Sequence, residues 1–523
     1  MSTENLSEYI ARKADQTPEK IYLTYEQQEI TYRELKTRMI HTAKGLYEYG
    51  VKQDDKVCVM LENSPEYLDI WFGLSMIGAV LVPINTHLKG EGLRHIIDHS
   101  DSELIILEES FKEQVNQALK GIERPIDLVI NDIEEKVNSD QLLSDILHNH
   151  SHTTLPKIDV PADSINNILY TSGTTGPPKG VMLTHENYIH AAAGFAHHMV
   201  GATEDDILFT TLPLFHINAQ AHTVLGAIAV NATIALQKRF SASRFWQQVR
   251  DSRATIFNSL GSMIPILCKQ PEHELDTVHN VRITACAATP KDFWKTFEDR
   301  FQLKIIEGYG LTETTGFCVT NPLDGGKIAS IGQPYNYVEG KVVSETGHQL
   351  QPQEIGEFAL KADSRYFMKG YYKMPEETKE AVKDQWFYTG DRVYADDDGY
   401  YYFCDRQAQV IRRRGENISS WEVEKVIDQH PAILESAAVG VPSELAEEDV
   451  KIFVVLKEGA EVTPERLMKW CEERLAYFMV PRYVEFIDEL PKTATERIEK
   501  YKLREQGIGN AWDRETAGYQ LKR

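Results

Sequence analysis

Short apolar runs alternate with amphipathic segments over residues 1–404. Residues 56–61 (KVCVML) read as a buried strand. Residues 64–76 read as a helix that opens on Ser64-Pro65, a hydroxyl cap followed by proline at the first helical position. Residues 79–82 and 103–107 read as two further strands. Such alternation predicts a layered α/β architecture. Beyond residue 404 the pieces shorten: a helix over 421–429, strands over 436–441 and 451–456, and a helix over 464–475. That pattern predicts a small α+β domain with its own core, so the chain divides into a large α/β domain, 1–404, and a small one, 405–523. The polar stretch 135–163, with His148, His150 and His152, reads as a surface connection, and residues 507–523 as a polar tail or lightly packed extension. No internal repeat period is evident.

Composition adds limits. The 523 residues are 42% apolar and 26% charged, ordinary for a globular enzyme, and 56 basic against 79 acidic residues leave a net charge of −23. That charge disfavours nonspecific binding to nucleic acid or anionic membranes. Cys58, Cys268, Cys286, Cys318, Cys404 and Cys471 are scattered and form no Cys-x-x-Cys pair, which suggests reduced thiols rather than a zinc site or disulfide framework. The apolar stretch 70–84 is interrupted by Gly73, Gly78 and Pro83 and is too short to span a bilayer, and the N-terminus lacks an apolar signal core. The expected location is the cytoplasm, and a homodimer is left open.

The chemistry concentrates in residues 171–180, TSGTTGPPKG, just after the apolar residues 167–170. Glycines let a backbone turn its N–H groups toward phosphate oxygens, hydroxyls donate further bonds, and Lys179 adds positive charge. The spacing is not that of the Walker loop, because Gly180 rather than Ser or Thr follows the lysine. Alone, such a segment is a flexible loop. Its companions downstream are PLFH ending at His216, EGYGLTE from Glu307 to Glu313, YTGD ending at Asp391, Asp405-Arg406, and RRRGENIS starting at Arg412.

In that order these motifs resemble the adenylate-forming superfamily of acyl-CoA synthetases, adenylation domains and luciferases, from Thr31 to Thr493. The resemblance implies the two-domain fold of that superfamily and a two-step reaction. A carboxylate attacks the α-phosphate of ATP, pyrophosphate leaves, and a thiol then displaces AMP from the acyl-adenylate. It also implies roles. Thr171, Ser172, Gly173, Thr174, Thr175, Gly176 and Lys179 would cradle the β- and γ-phosphates. Glu313 would ligate Mg2+, an ion suited to hard oxygen donors, and Thr312 would bond the α-phosphate. Asp391 would accept from the ribose hydroxyls and Arg406 would reach ribose or phosphate. The adenine would lie between the Glu307-Gly308-Tyr309 strand and the small segment Ala285-Cys286-Ala287. His216 would stand near the attacking carboxylate, and the small domain would swing about Ala408. Arg412 to Gly415 would face the thiol tunnel, the three arginines suiting the phosphates of coenzyme A.

One position departs from the pattern. Where relatives carry a Gly-Lys pair, this chain has Glu496-Arg497. Arginine keeps the charge but not the compact ammonium. Arg497 is the expected cation for the substrate carboxylate, with Lys492, Lys500 or Lys502 as alternatives. A catalytically impaired nucleotide-binding scaffold is the competing reading. The run 215–220 (FHINAQ) and the chain's ending look similar to the crotonobetaine/carnitine-CoA ligase branch, which suggests a short, betaine-like acid. Medium-chain and aromatic acids remain alternatives. Candidate acyl-pocket positions are His216, Asn218, Gln220, Thr314, Thr315 and Gly316.

Overall fold

The computed structural model describes residues 4–131, 141–148, 154–171, 177–406, 410–444, 447–491 and 498–521. Among them, a nine-stranded and an eight-stranded sheet, both largely parallel in their middles, form the bulk of the large domain, and a five-stranded antiparallel sheet adjoins them. The strands expected near residues 56, 79 and 103 are Lys56–Met60, Val80–Pro83 and Leu104–Glu108, neighbours in the eight-stranded sheet. The helix between the first two runs Pro65–Ile77. The Ser64 hydroxyl accepts from the Tyr67 N–H at its start, and Gly78 closes it at φ +71°, a left-handed geometry suited to glycine. Trp71 and Phe72 of this helix are wholly buried, which explains why its sequence is apolar on nearly every side.

The small domain is organised as the pattern predicts. It has a helix over Ser420–Asp428, strands over Ile433–Pro442 and Glu448–Leu456, and a helix over Pro464–Glu472 capped by Thr463. Apolar side chains buried between Ile411 and Leu503 form clusters separate from those buried between Leu6 and Tyr401.

Two surface segments are more structured than their polarity suggests. Residues expected as a tail include the strand Trp512–Asp513, which pairs antiparallel with Tyr483–Phe486. Arg514 is buried, its guanidinium donating to the carbonyls of Val480 and Pro481 at 3.3 and 3.2 Å. Within the expected connection, Gln141–Leu142 pairs with the eight-stranded sheet, and Leu143 and Ile146 of the following helix are buried. Of its three histidines, His150 and His152 lie outside the described residues. No disulfide links the cysteines, and no helix is long and apolar enough to cross a membrane, among the described residues.

Candidate active site

The glycine-rich loop and the Thr312–Thr314 turn each follow the carboxyl end of a strand, Ile165–Thr171 in the eight-stranded sheet and Lys304–Leu311 in the nine-stranded one, the usual place for a ligand in open α/β sheets. From the eight-stranded sheet comes the glycine-rich loop. Ile165–Thr171 and Lys179–Thr184 pair antiparallel, and Thr171 opposite Lys179 closes the loop at its base. Residues 172–176, which include Ser172, Gly173, Thr174, Thr175 and Gly176, lie outside the described residues. The Lys179 ammonium sits 5.1 Å from the centroid of the Tyr371 ring, whose hydroxyl donates to Glu313 Oε1 at 2.9 Å. Tyr371 thus brings together a lysine and a carboxylate far apart in sequence, and nothing in its sequence context marks it. Glu313 lies on the short 3-10 turn Thr312–Thr314, where Thr312 stays partly exposed. The Leu311 N–H donates to Thr314 Oγ1, which in turn donates to the Gly316 carbonyl, both at 2.8 Å. Among the described residues no cluster of three or more His, Cys, Asp or Glu side chains is poised for a metal. One accessible carboxylate beside phosphate oxygens and water nevertheless suits Mg2+, which rarely uses an all-protein cage.

The nine-stranded sheet supplies the neighbouring wall. Tyr309 donates its hydroxyl to Asp391 Oδ2 at 2.7 Å, and both are buried. Asp391 stands opposite Arg406 in strand register. Glu307, expected to touch the nucleotide, directs its carboxylate into the protein. It accepts from the N–H groups of Ala288 at 2.7 Å and Thr289 at 3.1 Å and from the Thr289 hydroxyl. Burial pushes this carboxyl up to about 7, although those bonds pull the other way. The grip holds Ala288 at φ +61°, unusual for a residue with a Cβ. Ala285 and Cys286 are fully buried, the thiol pushed up to about 12 by desolvation, so of the expected trio only Ala287 presents side-chain surface at the strand end. Gly308 is likewise in the core, against Met199 and Phe317.

His216 forms the third side. Its turn is fixed from behind by Asn63, which donates to the Leu212 carbonyl at 2.9 Å and accepts from the Leu214 N–H at 2.8 Å. Gln220 donates to the Leu214 carbonyl at 2.7 Å and accepts from Asn167 and Tyr188 at 3.0 and 2.6 Å. Gln220 is therefore a fully buried clamp rather than a pocket wall, and Thr314 and Thr315 are buried as well. Asn218 keeps partial exposure and bonds Asn258 at 2.6 Å.

The His216 imidazole faces a residue of the small domain, Glu416, with Nε2 and Oε1 3.2 Å apart. The His216 side chain is 41% exposed. Burial lowers the imidazole's proton affinity, but Glu416 outweighs it and the net shift is upward. Glu416, which burial alone would raise, is held low by His216, His87 and Asn85. Glu416 follows Arg414-Gly415 at the tip of the hairpin formed by Val410–Arg413 and Glu416–Ser419. Gly415, at φ +85°, lies against Leu260 of the large domain. The three arginines expected to face the thiol tunnel are not equivalent. Arg413 is buried, paired with Asp449 at 2.9 Å and donating to the Phe478 carbonyl at 2.8 Å, and Arg412 pairs with Glu447 at 3.2 Å. Arg414 alone of the three is exposed. Glu496, Arg497, Lys492 and the hinge position Ala408 fall outside the described residues.

The family model described as AMP-binding enzyme matches residues 10–372, and that of the AMP-binding enzyme C-terminal domain matches residues 422–497. The chain is 33% identical over 486 residues to a crotonobetaine/carnitine–CoA ligase of Salmonella paratyphi B and 33% identical over 482 residues to that of Proteus mirabilis. Each alignment covers 91% of this chain and 93% of the relative. Among solved structures, a double mutant of the o-succinylbenzoate CoA synthetase of Bacillus subtilis bound to a product analogue superposes with TM-score 0.84, at 25% identity over 97% of this chain and 99% of that one. The same synthetase with its acyl-adenylate intermediate gives 0.70, again at 25% identity, over 98% and 99%.

Proposed function

The chain belongs to the AMP-binding enzyme family and is an AMP-forming acyl-CoA ligase, and on that premise we propose that its acid is short and betaine-like. What carries the reading is the likeness to crotonobetaine/carnitine–CoA ligases along nearly the whole of both chains. In the first step a carboxylate oxygen bonds to the α-phosphorus of ATP while the bond to pyrophosphate breaks. Lys179 and the loop would hold the departing charge, and Thr312 the α-phosphate. Mg2+, ligated by Glu313, would neutralise the phosphates when bound. Arg497 would orient the acid, Asp391 the ribose, and Tyr309 with Ala287 would flank the adenine. In the second step the thiol sulfur bonds to the acyl carbon as AMP leaves. We set the domain boundary at residues 404 and 405. We read the docked small domain as the thiol-transfer arrangement, because the chain superposes better on the product-analogue complex than on the adenylate complex of one synthetase.

A panel of acids offered with ATP, Mg2+ and coenzyme A tests this. Betaine-like acids should give the highest kcat/KM for AMP release. A preference for benzoate-type acids, which the likeness to an o-succinylbenzoate synthetase would favour, overturns the substrate assignment but not the reaction.

A further inference from the structure

The helix Gly90–His99 of the large domain turns its first residues toward the small domain. Gly90, at φ +55°, lies so that a Cβ would come within 3.0 Å of the Arg474 carbonyl. Gly92 has ordinary helical backbone, so its dihedrals do not call for glycine, and glycine in a helix costs about 1 kcal/mol relative to alanine. Its surroundings supply a reason. A Cβ on Gly92 would overlap Glu422 Oε1, and among the described residues no other side chain or backbone outside its own helix comes within 4 Å of that point. Glu422 belongs to the small domain's Ser420–Asp428 helix and is 8% exposed. Beside the contact, Glu91 and Lys425 pair across the seam at 3.6 Å. A cavity of about 350 Å3 adjoins it, walled by His95, Pro178, Trp421, Glu422, Lys425 and Arg474.

Among the described residues, the steric demand on position 92 therefore comes from the other domain in this docked arrangement. We propose that the Gly92–Glu422 contact is the seam on which the small domain seats for thiol transfer, making Gly92 a positioning residue for the second half-reaction alone. This rests on the two-step ligase reading above. With the small domain elsewhere, a side chain at 92 meets no other described residue and improves the helix. With it docked, a methyl pushes the flexible Glu422 carboxylate toward the cavity, whereas a longer side chain must displace the helix that carries it.

The two half-reactions separate cleanly. Acid-dependent ATP–pyrophosphate exchange reports adenylation, and single-turnover transfer from isolated acyl-adenylate to coenzyme A reports the second step. Gly92→Gln should leave exchange unchanged within about twofold and slow transfer on the order of tenfold or more, with Gly92→Ala intermediate. Adding Glu422→Ala to Gly92→Ala should restore transfer, and the melting temperature of Gly92→Ala should match or exceed that of the parent. Equal losses in both half-reactions, no loss in either, or no rescue by Glu422→Ala would overturn the seam. Absence of exchange with any acid in the unsubstituted protein would instead overturn the ligase reading.

Discussion

A carboxylate at position 307 would repel a polyphosphate if it faced one. Buried beneath the Ala288–Thr289 turn, it fixes the backbone of that turn instead. The consequence is measurable. Burial raises the carboxyl to about 7, so the native protein holds a proton that the unfolded chain releases above the ordinary range of about 4.3. The associated stability is complete below that range and is lost as pH rises through about 7. Glu307→Gln should flatten the fall in melting temperature across that window, read by calorimetry. Part of the slope should survive, because burial also raises Glu422 to about 7. An unchanged profile would place the proton elsewhere. This residue marks a boundary of sequence reading. The motif says that an acid stands at 307 and others at 313 and 391, but not that Glu307 is held by the Ala288–Thr289 turn while Glu313 and Asp391 each accept from a tyrosine hydroxyl. Arg413 is the same case: three consecutive arginines look alike in sequence, and hairpin alternation buries the middle one against Asp449.

At the level of elements, caps were legible because they are local. Ser64 precedes a proline and starts the helix that the sequence predicts there, and Thr463 opens a second helix in the same way. The clamps behind His216 were not legible, since Asn63 and Gln220 lie far from each other along the chain and meet only once the sheets have stacked. Asn63 holds both sides of the Leu212–Leu214 turn and also donates to the Gln237 carbonyl at 2.9 Å. Asn63→Leu removes those partners and leaves buried backbone groups unpaired, at about 1–3 kcal/mol each. His216 should then lose its fixed position. We expect kcat/KM for the acid to fall about tenfold with the KM for ATP little changed, in steady-state assays that vary each substrate in turn. Equal effects on both substrates would indicate general loosening instead. The C-terminal strand Trp512–Asp513 was hidden for a related reason. It is too short for a periodicity, and its polar residues pair with Arg482 rather than with solvent, at 3.2 Å from Asp513.

For the whole molecule, the division into two domains was legible from texture, whereas the way they seat on each other depends on pairs that no local pattern reveals. Two titratable groups at that seam act in the same direction. His216, raised overall by Glu416, holds its proton more tightly when the domains are docked, so its contribution is complete below the ordinary imidazole range of about 6.5 and fades as pH rises through the docked value. Glu422, raised by burial to about 7, likewise takes up a proton on docking. The seam should therefore loosen as pH rises past neutrality. Val278 and Leu434 are exposed on the large and small domains respectively and are suitable label positions. With dyes on Val278→Cys and Leu434→Cys in a Cys404→Ser background, energy transfer in the presence of AMP and coenzyme A should shift between about pH 6 and 8.5. His216→Gln should flatten most of that shift, because the ring pairs directly with Glu416, while Glu422→Gln should remove the remainder. A transfer efficiency that stays constant with pH, or a shift that His216→Gln leaves intact, would mean that steric fit at Gly92 and Gly415, rather than charge, governs how the domains seat.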